Sequence, residues 1–181
     1  MPVRIRLLTS TVLQRLYQLT LGVCLLAGAL PAWSDPVSTT PYRSFAGNLD
    51  FVVTGGTLRT QPNSGNSCAV TNSNSAPLSG IPATATVRAA YLYWAGSGPN
   101  LDDNVTLNGS PILADRTFSE TYAVGGFNLQ FFSGFEDVTT QVAAQRNGTY
   151  TFADLTVTNT DLGSGGSYCS SSAVLSGWGQ V

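Results

Sequence analysis

Three groups of side chains in this sequence are of types that could do chemistry. Asp102, Asp103 and Asn104 stand together in a Gly- and Pro-bearing stretch, Glu136 and Asp137 are neighbours, and Cys68 and Cys169 lie far apart. Two carboxylates facing each other across about 5–9.5 Å could hydrolyse a glycosidic bond. Adjacent residues on a strand point to opposite faces, so neither Asp102-Asp103 nor Glu136-Asp137 makes that couple alone. A couple from separated positions, such as Asp115 with Glu136, is the remaining route. Calcium suits Asp102, Asp103 and Asn104 better, because Ca²⁺ takes several flexible oxygen ligands. The plainer reading of the same three residues is a solvated turn, and no EF-hand spacing is present.

What is missing narrows the chemistry further. The chain has no histidine and no lysine, so all eight of its basic residues are arginine. The run Ser170 to Ser172 therefore has no His or Lys to activate a hydroxyl, and a thiol nucleophile has no imidazole base. Zinc, iron and copper sites lose their usual nitrogen ligand. Gly163 to Gly166 resembles a phosphate cradle only on the surface, since no Lys and no helix signal follow it. The expectation is a protein without catalytic activity.

The amino terminus reads as an export signal over residues 1–34. Arg4, Arg6 and Arg15 precede an apolar run from Leu19 to Leu30, and Ala32 and Ser34 put small residues at the −3 and −1 positions before Asp35. The run is shorter than the roughly 18–20 apolar residues of a membrane span. Cys24 follows Val23, where a lipoprotein signal needs a small residue, and leaves with the signal. After cleavage no membrane insertion is expected, and localisation is secreted or at the cell surface. All ten Asp and Glu lie beyond the cut against five Arg, so the exported chain is acidic. Scattered arginines with no basic patch make nucleic acid and anionic membranes poor partners. The two cysteines left, Cys68 and Cys169, are read as a disulfide in an oxidising compartment. It closes a loop of about 100 residues, worth about 4–5 kcal/mol in the chain-entropy account.

The elements that must position these residues read as β. Residues 35–47 are a polar lead-in, and 48–181 form one domain. A first strand is expected over Phe45 to Val53, with Leu49, Phe51 and Val53 on one face, a turn at Gly55-Gly56 and a return over Thr57 to Thr60. Gln61 to Pro82 reads as a long surface loop that the disulfide pins through Cys68. Ala83 to Ala95 carries apolar residues in both phases and is read as a central strand buried on both sides. Asn108-Gly109 joins a hairpin, since both residues accept positive φ, and Pro111 places its second strand at an edge.

Thr117 to Tyr122 is a short strand, and Gly125-Gly126 turns the chain into a strand over Phe127 to Phe135, with Phe127, Leu129 and Phe131 on one face. The one helix runs from Asp137 to Gln145. Asp137 or Thr139 caps it, Val138, Val142 and Ala143 share a side, and Gly148 stops it. In the strand Tyr150 to Asn159, Tyr150 and Phe152 are out of phase with Leu155 and Val157, which calls for a bulge near Asp154. Leu162 to Ser172 is a second loop, holding Cys169. Ala173 to Val181 is a last strand whose alternation nothing terminates. The fold class expected is all-β: a jelly-roll-like antiparallel β-sandwich with one short helix, either ending on its last strand or truncated at its C-terminus. Asn104, Asn108 and Asn147 begin N-glycosylation sequons and are read as turn residues.

The blocks "VRAAYLYWAGSG", "VTLNGSPILADRTFSE", "FSGFEDVTTQV", "NGTYTFADLTVT" and "YCSSSAVLSGWGQV" carry a resemblance over Asn48 to Val181. They resemble the N-terminal domain of large bacterial exported surface proteins, adhesin-like and often multidomain, of largely unknown function. In such proteins the Trp-containing strand runs on into further strands, so the resemblance implies a sandwich cut short here. It also implies an exported cell-surface or secreted adhesion or structural module, with a surface glycan or protein as ligand. A carbohydrate-binding module is the alternative. Its candidate aromatics are Trp94, Trp178, Tyr122 and Tyr168, with Tyr122 and Tyr168 near loops as the expected glycan contacts. An extracellular glycan hydrolase is the third reading.

Overall fold

The structure is a computed structural model that describes residues 41–62, 64–124, 127–159, 168–170 and 172–181. The export signal, Cys24, the start of the lead-in, the Gly125-Gly126 turn and the Gly163–Gly166 stretch lie outside the described residues. The chain divides into two compact units, Met1–Gly47 and Asn48–Val181. In the first, residues 41–47 are exposed, and the Arg43 guanidinium lies 5.7 Å from the centre of the Tyr42 ring.

Among its described residues the second unit has nine strands: β1 Thr54–Thr57, β2 Ser73–Leu78, β3 Tyr91–Ser97, β4 Asn104–Leu107, β5 Ser110–Leu113, β6 Arg116–Val124, β7 Phe127–Asp137, β8 Gly148–Ala153 and β9 Ser176–Gln180. One helix, α1 Thr139–Gln145, joins β7 to β8. The strands form a five-stranded sheet, β1-β9-β3-β7-β6, and a four-stranded sheet, β2-β8-β4-β5, antiparallel throughout. The nesting of pairs is informative: β1 with β9, β2 with β8, β3 with β7, and β4 with β5. That is a hairpin rolled up on itself across two sheets, the jelly-roll wiring. β6 is one strand more, added at the edge.

Alternation sorts each strand into faces. On β3, Leu92, Trp94 and Gly96 are buried inward, while Tyr91 and Tyr93 point to the outer side, where Tyr93 is exposed. On β9, Ser176, Trp178 and Gln180 go inward and Gly177 and Gly179 outward. The second sheet answers with Leu78, Val105, Leu107, Tyr150 and Phe152. Burying large apolar side chains between two sheets is the main stabilising term of such a fold.

Several expectations give way to this arrangement. Phe45 to Val53 forms no strand; Leu49, Phe51 and Val53 are all exposed, and β1 begins at Thr54. Gly55-Gly56 is not a turn. Both lie within β1, where side chains cannot fit: a Cβ on Gly56 would run into the Asn74 amide, and Gly55 has φ of +153°. The long polar segment after Gln61 contains β2, whose Ser73 and Ser75 face solvent, whose Asn74 turns inward to the Trp178 indole and whose Ala76 and Leu78 enter the core. In the Ala83–Ala95 segment only the part from Tyr91 is strand, and it is buried on one face.

The helix starts at Thr139, with Val138 at its N-cap position, while the Asp137 carboxylate accepts the Thr139 N–H at 3.0 Å. Val138 and Val142 are buried but Ala143 is exposed, and Arg146, at φ of 59°, ends the helix before Gly148. The phase change after Phe152 is real, and Asp154 carries it in a left-handed conformation (φ 68°). The ladder ends there rather than bulging. The Asn108-Gly109 hairpin joins β4 to β5 as read, with φ of 51° and 75°, and β5 with Pro111 is an edge strand.

Candidate functional site

The outer face of the five-stranded sheet holds the features that bear on function, and it has two parts. At one end, loops cover it. Cys68 and Cys169 are disulfide-bonded with Cα atoms 5.2 Å apart, 101 positions separated in sequence. The bridge joins the two loops over a small second core of Leu129, Tyr168 and Val174, flanked by Val70, Phe131 and Ala173. Tyr168 is fully enclosed there. Its hydroxyl donates to the Gln130 carbonyl at 3.0 Å and accepts the Gln130 N–H at 2.9 Å, and its ring meets Phe131 edge-on. A ring held this way has no face to offer a sugar, so Tyr168 packs a loop onto the sheet instead of forming the expected glycan contact.

Away from those loops, exposed aromatic side chains lie on the same face. Tyr93 is 45% exposed, and its ring centre lies 5.1 Å from that of Phe135, which in turn lies 5.5 Å from Tyr91. In register beyond Phe135 comes β6, whose outward residues are Arg116, Phe118, Glu120 and Tyr122. Phe118 is 62% and Tyr122 60% exposed. On the other side of Tyr93 stand Gly179 and, opposite Ala95, Gly177. The face therefore presents Tyr93 and Phe135, with Phe118 in the next outward row, beside a strand with no outward side chains, whereas Tyr122 stands further along β6 in register with Leu129 of the loop-covered end.

Of the aromatics picked out from the sequence, Trp94 and Trp178 lie in the core, each with its indole N–H bonded: to the Asp102 carbonyl at 2.9 Å and to the Asn74 side-chain oxygen at 3.2 Å. Tyr122 is on the surface. Tyr93 and Phe118 were missed as surface residues. The signal was available, because Tyr91 and Tyr93 alternate with Leu92 and Trp94, and the less polar pair takes the core.

The Asp102, Asp103, Asn104 group is engaged in holding the fold. One Asp102 carboxylate oxygen accepts the Thr156 N–H at 2.6 Å and the other the Asn104 N–H at 3.3 Å. The Asp103 carbonyl accepts the Ala114 N–H, and Asn104 begins β4. Among the described residues no group of three or more His, Cys, Asp or Glu is placed to hold a metal. Glu136 stands in register with Leu92 near the end of β7, and Asp115, exposed just before β6, lies beside that end and donates its N–H to the Phe135 carbonyl at 2.9 Å. The sequon asparagines Asn108 and Asn147 are turn braces: Asn108 bonds Thr151 and Gln145, and Asn147 bonds both backbone groups of Ile81. Among the described residues no helix is long and apolar enough to cross a membrane. No family model, curated protein or solved structure matches the chain.

Proposed function

We propose that this domain is a non-catalytic adhesion module of an exported protein, and that the outer face of the five-stranded sheet is its contact surface. The observation that carries the reading is the exposure of three aromatic side chains, Tyr93, Phe118 and Tyr122, on one sheet face. Aromatic rings supply large contact area at small entropic cost, and exposed apolar surface gathered on one face marks an interaction site rather than scattered exposure. The acidic composition and the export signal agree with an extracellular setting.

A glycan ligand is the second reading, and one local feature favours it. Tyr93 stands beside outward Gly177 and Gly179, so a ring packed flat on Tyr93 meets no neighbouring side chain from β9. The test is retention of the purified chain on a panel of immobilised polysaccharides and surface proteins, with Tyr93→Ala and Tyr122→Ala as paired variants. Loss of retention in both variants, with thermal stability kept, is the expected result. Retention unchanged in both removes this face as the contact surface. Reducing ends released from the same polysaccharides would overturn the non-catalytic reading.

A further inference from the structure

Sheet edges expose unpaired backbone groups, and three of the four edges here are blunted. β1 has four residues including Gly55-Gly56, β2 carries Pro77 and β5 carries Pro111. The fourth, β6, has nine residues and neither Gly nor Pro. It is also the strand that the nested jelly-roll pairing does not need. All its residues from Arg116 to Ala123 are exposed, on the inner face as well as the outer, so β6 overhangs the second sheet.

The register shows which backbone groups are open. Gly98 N–H bonds the Gln130 carbonyl and Val138 N–H bonds the Ala90 carbonyl, so the even-numbered residues of β7 direct their backbone to β3. Phe131, Ser133 and Phe135 therefore turn theirs to β6, where they meet Glu120, Phe118 and Arg116. Thr117, Ser119, Thr121 and Ala123 are left with N–H and C=O groups aimed at the open edge.

We infer that β6 pairs antiparallel with β6 of a second copy of this chain, about a two-fold axis at Phe118, joining the two five-stranded sheets edge to edge. The side chains select this partner and this register. With Phe118 opposite Phe118 of the partner subunit, Arg116, whose guanidinium also lies 3.7 Å from the Asp115 carboxylate of its own chain, falls opposite Glu120 of the partner subunit, and the same pair recurs across the axis. Thr117 and Ser119 meet their counterparts through four main-chain hydrogen bonds. Shifting the axis to Glu120 sets two carboxylates face to face, and shifting it to Ser119 sets Phe118 against a carboxylate; each loses the charge match. Opposite charges directly across a strand pair stabilise and like charges destabilise. The overhang keeps the two second sheets apart, and the polar inner residues Thr117, Ser119 and Thr121 remain in water. The aromatic outer faces of the two copies then run together into one surface. A two-fold contact that uses the same strand from both copies closes on itself and does not propagate.

One strand pair buries less than a standard interface of about 1,600 Å², so the dimer is a reversible one. Sedimentation velocity on the purified chain over a concentration series tests it. Arg116→Glu and Glu120→Arg should each weaken dimerisation by about tenfold or more, and the double exchange should restore it. Phe118→Cys should form an intermolecular disulfide on mild oxidation while Glu120→Cys does not. A chain that stays monomeric throughout the series overturns the inference. So does a dimer indifferent to both charge reversals, or one that cross-links through Glu120→Cys instead. The charge-reversal variants leave Tyr93, Phe118 and Tyr122 intact, so their outcome is independent of the adhesion reading.

Discussion

Trp178 of β9 lies flat against Phe152 of β8, with ring centres 5.6 Å apart and planes only 9° from parallel. The two residues belong to different sheets, so the stack crosses the interior and sets the spacing of the layers. Trp178 is also directly opposite Trp94 in the ladder, and each indole sends its N–H to a different part of the second layer. Two indoles side by side on one inner face need space from their neighbours, and glycines provide it.

Gly134 of β7 stands opposite Trp94, and a Cβ there would run into the indole ring itself. Gly134→Ala should therefore cost about 1–3 kcal/mol through overpacking, read as a lower urea midpoint. Gly179→Ala is the control. Its Cβ would face the open side, with Thr54 O at 3.9 Å as the nearest atom, so stability should be unchanged or slightly raised. Equal losses at the two positions would show that the Trp94 cavity does not govern this site.

The disulfide should matter more for its loops than for the main core. Cys68 and Cys169 hold together two segments that otherwise share a small cluster around Tyr168 and Val174. Reduction, or Cys68→Ser with Cys169→Ser, should lower global stability by about 4–5 kcal/mol. Amide exchange should rise first around Val70 and Ala173, before it rises on β3 and β9. Simultaneous loss of protection in both regions would mean that loops and sandwich form one cooperative unit.

How much of this could be seen in the sequence depended on where each segment's partners lie. The β4–β5 hairpin was legible because its determinants, Asn108-Gly109 and Pro111, are local. The all-β class followed from alternation alone. β1 was not legible, because Gly55 and Gly56 are required by Asn74 and Trp178, which come later in the chain. β2 was hidden by its composition: a strand at an edge with one wet face needs only Ala76 and Leu78 to hold it. The site was partly legible. Tyr122 reads as a surface aromatic, while the burial of Tyr168 depends on Leu129, Gln130 and Phe131, which sequence proximity does not suggest.

Gln180 is a polar residue in an apolar place. It is 1% exposed on the inner face of β9, and neither its amide oxygen nor its amide nitrogen has a hydrogen-bond partner among the described residues. A buried amide without partners is unfavourable, and an apolar side chain of similar length removes the penalty without leaving a void. Gln180→Met should raise stability by about 1–2 kcal/mol, seen as a higher urea midpoint at unchanged slope. A destabilised variant would indicate that the amide is satisfied within the interior.

Tyr150 links the fold to alkaline pH. It is fully buried, its hydroxyl donates to the Arg146 carbonyl at 2.9 Å, and burial raises its phenol above the ordinary value of 10.0. The unfolded chain therefore loses this proton at lower pH than the folded one. Its contribution to stability is complete below about pH 10 and disappears as pH climbs through the folded value. Tyr150→Phe removes both the hydrogen bond and the proton. The variant should be weaker by about 1 kcal/mol near neutrality. Between about pH 10 and pH 12 its stability should decline less steeply than that of the parent chain, so the two curves converge. Urea midpoints for both proteins across that range decide the matter, and parallel curves would mean that Tyr150 does not ionise on unfolding.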